Sequence, residues 1–445
     1  MIKKLIYDII VFFDKIFIYF QFIIIKFLSG DKKIYSLIEG GWGVLIQSIF
    51  YLNLIHKENV PKTIIILDSE RYNFTIQEFA RNCKIFRIFS VFIFLNKNFS
   101  QYPKEFRENI KRYCKKIFSN SYKDMSDIIY DKKRNFFNEK ILSKYILKKI
   151  SNEKIFSWFL HSLNDSQNGL KKKIFEPKKI SIRKIEKIFN LKINEIKNSI
   201  NICIRQRNKI LKNVNISKKQ RSKIFKNISR TNYLRDGNID NFKIAINYLL
   251  KNYDFKIFLT GDIDDININH KNFFTYKNFS KKISKNFYEL SVQTLSKFHI
   301  LNSSGASKIV EFNNINDSKI LFIDAWPPIT FTANSIFLFK NIIGDNNKNI
   351  NSYEYLKMYE RACRKQKNKD SFDECKKIYL KFYEAKNYKI ISNNERQVLE
   401  SLKEFIIFIS NKKKLNFKNK YHKKVPKYFQ KVLLENKCLL SSGNL

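Results

Sequence analysis

The sequence predicts two α/β domains with mostly parallel sheets, preceded by an amphipathic helix and followed by a helical, basic extension. Three observations carry that expectation. Short apolar runs alternate with helical patterns across residues 34–330, the rhythm of βαβ units whose sheets are covered on both faces. The 445 residues exceed what one core fills, since cores stop growing at about 250–300 residues. The first thirty or so residues are apolar yet carry their charges on one side.

Residues 9–28 read IIVFFDKIFIYFQFIIIKFL, long enough to cross a bilayer but interrupted by Asp14, Lys15, Gln21 and Lys26. One charge at the centre of a span costs about 2.5–3.5 kcal/mol on the insertion scale. At about 100° per residue, Lys3, Lys4, Asp8, Asp14, Lys15, Gln21 and Lys26 share an arc of roughly 140°. That pattern suits a helix in the membrane interface with its lysines toward headgroups. A helix packed on the domain by its apolar face and a true span are the other readings. A cleaved signal peptide is not expected, because Asp8 and Asp14 break the apolar region and the first alanine is Ala80.

In the first domain, residues 34–39 read as a strand, followed by Gly40-Gly41-Trp42-Gly43, an apolar helix to about His56 and a strand at 63–67. A continuous apolar run predicts a further strand at 89–95, and residues 103–163 read as helical and lysine-rich. Residues 164–179, with Gly169 and Pro177, read as the connection between domains. The second domain reads as a strand at 200–204, a helix near 242–251 and a strand at 255–259 ending at Thr260-Gly261-Asp262. A helix at 286–297, a strand at 298–302, the turn Ser303-Ser304-Gly305, another helix and a strand at 319–324 follow. After about Tyr353 the pattern is helical and highly charged. The expected domains are therefore 1–30, 31–179, 180–345 and 346–445.

Composition narrows the function classes. With 44% hydrophobic residues the chain is no disordered polycation, despite 85 Lys+Arg against 40 Asp+Glu, a net charge of +45. A basic surface attracts nucleic acid, anionic headgroups or a phosphorylated substrate. The lysine-rich segments 209–226 and 412–424 carry no nucleic-acid-binding motif, so nucleic acid is not expected as a partner. Cys83, Cys114, Cys203, Cys363, Cys375 and Cys438 show no C-x-x-C and no nearby His pair, which argues against zinc and fits a reducing compartment. Only ten glycines occur, and six of them, Gly40, Gly41, Gly43, Gly237, Gly261 and Gly305, lie in loops that follow strands or precede helices.

Those loops hold the candidate site residues. Ser303-Ser304-Gly305 follows a strand and opens a helix, which suits a phosphate and equally an ordinary N-cap. Arg205 and Arg207 end a strand on the same face and would form a fork for phosphate oxygens; a solvated surface pair is the alternative. Arg235-Asp236-Gly237 adds a third loop arginine, and Asp262 stands where a carboxylate holds a ribose hydroxyl or caps a turn. Gly40, Gly41 and Gly43 allow close approach to the backbone, but neither a dinucleotide fingerprint nor a P-loop is present. Glu39 is a candidate base or a helix-terminal cap. His56, His161, His270, His299 and His422 are isolated and read as structural or surface residues.

The set Glu39-Gly40-Gly41-Trp42-Gly43, Ile202 to Arg207, Tyr233 to Asp240, Thr260-Gly261-Asp262 and Ser303-Ser304-Gly305 resembles a bacterial family of glycosyltransferases associated with surface-polysaccharide biosynthesis. The resemblance covers roughly residues 34–330 and is strongest after 200. It implies two Rossmann-like domains facing a cleft, the GT-B type. It also implies that Ser303-Ser304-Gly305 and Arg207 hold the diphosphate of a nucleotide sugar, with Arg235, Gly261 and Asp262 lining the same cleft. Three positions depart from the pattern: Arg205 stands where a histidine is common, Leu301 replaces a glycine, and Glu289 replaces an aspartate.

The expectation is a membrane-associated transferase with the donor in the second domain. A saccharide or lipid-linked acceptor would lie near Gly40, Gly41 and Gly43, with Glu39 as base. No cofactor and no metal are expected beyond the nucleotide sugar itself, and the expected place is the cytoplasmic face of the inner membrane, peripheral or monotopic. The alternative is a non-catalytic basic α/β adaptor for a membrane surface or nucleic acid.

Overall fold

Runs rich in isoleucine and phenylalanine form strands where turn or charged residues bound them, and longer mixed runs form the helices between. The structure, a computed structural model, describes residues 2–30, 33–37, 42–55, 62–67, 74–81, 83–88, 104–119, 122–124, 130–131, 136–137, 173–206, 236–263, 266–302, 304, 307–313, 318–325, 334–344, 349–350, 354, 356–357, 389–410, 430, 433 and 438–442. The chain divides into two units, Met1–Lys149 with Ile174–Glu176, and Ile150–Lys173 with Pro177–Leu445.

In the first unit α1 (Ile2–Ser29) leads into β1 (Lys33–Leu37), α2 (Trp42–Ile55) and β2 (Lys62–Leu67). Then come β3 (Cys83–Ile88), α3 (Lys104–Phe118), β4 (Tyr122–Asp124) and a small hairpin of β5 (Tyr130–Asp131) and β6 (Phe136–Phe137). The sheet order is β3-β2-β1-β4, with every pairing parallel. One face of this sheet, Ile34, Ile65 and Ile88, is covered by Ile18, Phe22 and Ile25 of α1 and Ile110, Cys114, Ile117 and Phe118 of α3. The glycine-led βαβ unit is where the sequence places it. The strand expected at 89–95 falls outside the described residues; the observed strand is Cys83–Ile88, where Lys84 and Arg87 interrupt the apolar run that pattern reading seeks. Within 103–163 only Lys104–Phe118 is helical among the described residues, and β4, β5 and β6 follow it.

The second unit begins with α4 (Lys179–Phe189), whose buried Ser181, Ile185 and Phe189 recur at four-residue spacing, and α5 (Ile193–Lys197). Its elements continue as β7 (Ile200–Cys203), α6 (Lys243–Asn252), β8 (Ile257–Thr260), β9 (Phe273–Phe274), α7 (Lys285–Leu295), β10 (Phe298–Leu301), α8 (Lys308–Asn313), β11 (Lys319–Ala325) and β12 (Ser335–Phe339). A small antiparallel sheet of β13 (Asn341–Ile343), β14 (Asn349–Ile350) and β15 (Lys389–Ile391) precedes α9 (Glu395–Ile409) and β16 (Leu439–Leu440).

The main sheet has the order β16-β12-β11-β10-β7-β8-β9 and is parallel throughout. Alternate strand residues go to opposite faces. Ile200, Ile202, Leu259, Ile300, Leu321, Ile323 and Leu338 pack under Ala245 and Leu249 of α6 and Leu402 and Phe405 of α9. On the other face Phe258 lies against Phe189 of α4 and Tyr288 of α7, with ring centroids 5.6 and 6.4 Å away. Within the segment expected as a helical extension, described elements join the main sheet. α9 covers one sheet face, and β16 adds an edge strand beside β12, with Ile336 paired to Leu439. A two-residue strand at the end of a lysine-rich tail is too short to leave a periodic signal.

Candidate functional site

In the main sheet the chain fills β7, β8 and β9 outward in one direction, then returns to lay down β10, β11 and β12 on the other side of β7. The direction reverses between β7 and β10. In open parallel sheets ligands bind beyond the carboxyl ends of the strands at such a reversal. Leaving β7 there are Ile204, Arg205 and Gln206; leaving β10 there are Asn302 and Ser304. Asn302, fully buried, joins the two ends: Oδ1 accepts from the Arg205 N–H at 2.9 Å, and Nδ2 donates to the Arg205 carbonyl at 3.1 Å.

Arg205, one half of the expected fork, is ion-paired, while Arg207 lies outside the described residues. Its Nε lies 3.0 Å from Asp236 Oδ1, and both side chains are only 11% exposed. Lys340 closes the other side of this cluster, donating to the Asp236 carbonyl at 2.6 Å and to Ser392 Oγ at 3.2 Å. Burial pushes the Lys340 ammonium below its ordinary pKa, while Asp324 and Asp236 pull it back up. Asp324, next to last in β11, has φ of 56°, an uncommon conformation for a side-chain-bearing residue, and is held by the Asn393 N–H at 2.8 Å and its Nδ2 at 2.7 Å. Among the described residues this cluster brings together two cations, Arg205 and Lys340, and two anions, Asp236 and Asp324. Sequence reasoning missed Asn302, Asp324 and Lys340. The available signals were an aspartate closing an apolar strand and a lysine inside the apolar run SIFLFKNII.

Gly261 has φ of 101°, and a Cβ there would stand 2.2 Å from the Ile204 carbonyl oxygen, so this position admits only glycine. That close approach lets Gln206 donate from its backbone to the Asp262 carbonyl at 2.6 Å. The Gly261 N–H donates to Glu289 Oε1 at 3.0 Å. Burial raises the Glu289 pKa, with Lys285 at 3.7 Å opposing it. The Asp262 side chain is exposed. At Gly237 the missing side chain admits Asn302, whose Nδ2 would lie 3.0 Å from a Cβ.

Ser304 is buried and hydrogen-bonded to Ser307. Its Oγ accepts from the Ser307 N–H at 3.0 Å, its own N–H donates to Ser307 Oγ at 3.3 Å, and Ser307 Oγ donates to Glu311 at 2.7 Å. Ser303, Gly305, Arg207 and Arg235 lie outside the described residues, as do Glu39, Gly40 and Gly41. Gly43 lies in the first turn of α2, and the first unit's sheet also reverses direction beside β1, the strand that residues 38–41 follow. Among the described residues no three His, Cys, Asp or Glu side chains are grouped to hold a metal ion.

No protein-family model matches the chain, and no curated protein matches it. Among solved structures it is similar to the heptosyltransferase WaaC of E. coli with ADP, at a TM-score of 0.33 and 9% identity over 75% of this chain and 98% of that one. It is similar to a family 9 glycosyl transferase of Veillonella parvula, at 0.36 and 10% over 69% of this chain and 85% of that one. The ADP-heptose lps heptosyltransferase II of E. coli stands at 0.38 and 9%, over 75% and 99%. All three are glycosyltransferases by name.

Proposed function

We propose that the chain is a glycosyltransferase that moves a sugar from a nucleoside diphosphate sugar to a saccharide or lipid-linked acceptor in surface-polysaccharide biosynthesis. The observation that supports this reading is the reversal of strand order between β7 and β10. The segments carrying Arg205 and Arg207, and Ser303 to Gly305, leave the sheet from these two neighbouring strands. A diphosphate seated there would meet backbone N–H groups and guanidinium donors.

As the glycosidic bond to the donor breaks, negative charge builds on the β-phosphate. Arg207, Arg235 and the Ser303-Ser304-Gly305 turn would stabilise it without a metal, as preorganised donors aimed at developing charge do. Arg205, paired to Asp236, would help to fix the strand end from which the chain runs on to Arg207. The acceptor would lie by Gly40, Gly41 and Gly43 of the first unit, and Glu39 would take the acceptor's hydroxyl proton in an inverting reaction. The work would be done at the cytoplasmic face of the inner membrane, in a peripheral or monotopic placement. Among the described residues no helix is long and apolar enough to cross a membrane.

Thermal unfolding with a panel of nucleotide sugars tests the enzyme reading. A donor at a hundred times its Kd stabilises by about 2.7 kcal/mol, a clear rise in Tm. One donor should give that rise, and Arg207→Ala should abolish it. No rise with any donor would leave the chain as a non-catalytic basic adaptor.

A further inference from the structure

The helix α1 is oriented inside out relative to an ordinary surface helix. On a wheel of about 100° per residue, the buried residues Asp14, Ile18, Phe22, Ile25 and Ser29 centre on one direction. The arc that sequence reading assigned to headgroups, with Asp14, Lys15 and Gln21, is the arc turned toward the sheet and α3 of the first unit. The opposite half of the wheel is exposed and uniformly apolar: Ile9, Phe12, Phe13, Ile16, Phe17, Tyr19, Phe20, Ile23, Ile24, Phe27 and Leu28. These are eleven of the fifteen exposed large hydrophobics among the described residues, so this is one patch and no scatter of single side chains.

We propose that this outward half of α1 is a membrane-docking surface, inserted along the helix length into the boundary between headgroups and acyl chains of an anionic leaflet. Charge complementarity selects this occupant over a second copy of the chain. One long edge of the patch is bordered by α3, with Tyr19 on Tyr113 at 6.1 Å between ring centroids and Phe22 on Phe118 at 5.8 Å. On that helix Arg112, Lys115 and Lys116 are exposed, and on α1 Lys26 and Asp8 are exposed beside the apolar half, an excess of three cations over anions among these residues. Apposed copies would bring these cations together, whereas anionic headgroups neutralise them. The twenty residues from Ile9 to Leu28 lay a face about 30 Å long on the surface. Crossing the bilayer would require removing the opposite face, with its buried Asp14, from the sheet. The inference rests on the membrane placement proposed above and adds which surface makes it; it is independent of the transferase chemistry.

The test is flotation of the full chain with vesicles of phosphatidylcholine alone or with 30% phosphatidylglycerol (about one anionic lipid in three, enough for a strongly negative surface). The outward double variant Phe13→Glu/Phe20→Glu is compared with Ile244→Glu/Ile407→Glu, which makes the same change in net charge at exposed apolar positions of the second unit. The expected result is binding to the anionic vesicles that falls at least ten-fold in the α1 variant and holds in the control. Equal binding by both variants would overturn the assignment of this face while leaving the membrane placement standing. No binding by the unaltered chain would overturn both. A dimer that the α1 variant dissociates, without vesicle binding, would assign the face to self-association and overturn the proposal.

Discussion

Asn302 holds both backbone groups of Arg205, accepting from its N–H at 2.9 Å and donating to its carbonyl at 3.1 Å. One side chain thereby continues the pairing of β7 and β10 beyond the ends of the strands, at the point where the sheet reverses. The Arg205 carbonyl also accepts from the Gly237 N–H at 2.8 Å, so it keeps that bond when Asn302 is shortened, whereas the Arg205 N–H loses its bond to Oδ1. A buried donor left unpaired costs about 1–3 kcal/mol. Asn302→Ala should lower the unfolding free energy in urea by that amount and reduce the donor-induced rise in Tm.

Gly261→Ala should be among the most damaging single-methyl changes. The new Cβ meets the Ile204 carbonyl oxygen at 2.2 Å, and φ of 101° is itself strained for any side chain. Strain of this kind costs about 1–3 kcal/mol before the clash is counted. Urea denaturation should show a loss of more than about 2 kcal/mol; an unchanged midpoint would contradict the close packing of β8 on the end of β7.

Lys340→Met removes the ammonium that donates to the Asp236 carbonyl and to Ser392 and leaves Asp324 and Asp236 facing one cation fewer. Breaking a buried charge cluster by removing one partner costs about 3–5 kcal/mol. The variant should unfold at much lower urea concentration, and a variant as stable as the parent would show the cluster to contribute nothing.

Acid stability should depend on His299. Burial, then the nearby Lys173, push its pKa down from 6.5 to about 3, and its Nδ1 lies 3.2 Å from Asn201 Nδ2. The unfolded chain therefore binds the proton more readily than the folded one. Stability is fully present above 6.5 and is lost as pH falls from 6.5 toward 3, at up to about 1.4 kcal/mol per pH unit. His299→Asn, which keeps an acceptor near the Nδ1 position and cannot titrate, should flatten that slope in urea titrations run at successive pH values.

Legibility of the fold followed the length and purity of each signal. The strands Ile200–Cys203, Ile257–Thr260 and Phe298–Leu301 were visible as apolar runs ahead of turn residues. Cys83–Ile88 was hidden by Lys84 and Arg87, and Leu439–Leu440 by its brevity. At the site, Gly261 was legible because glycine is rare in this chain and its backbone demand is absolute. Arg205 was legible as a residue at the strand end but not as the partner of Asp236, which is 31 positions away in the chain. Asp324, Lys340 and Asn393 meet only after β11, β12 and the segment before α9 are placed side by side. That the first residues of the chain form a helix was legible in their pattern, but only packing reveals that Asp14, Ile18, Phe22 and Ile25 are the residues it buries.

Isothermal titration of the full chain with nucleoside diphosphates tests the central claim most directly, because it requires neither the sugar nor the acceptor to be known. One diphosphate should bind with one-to-one stoichiometry, and Arg207→Ala and Asn302→Ala should each weaken it at least ten-fold while Ile244→Glu leaves it unchanged. Absence of binding by every diphosphate, or binding indifferent to Arg207 and Asn302, would contradict a donor site at the reversal between β7 and β10.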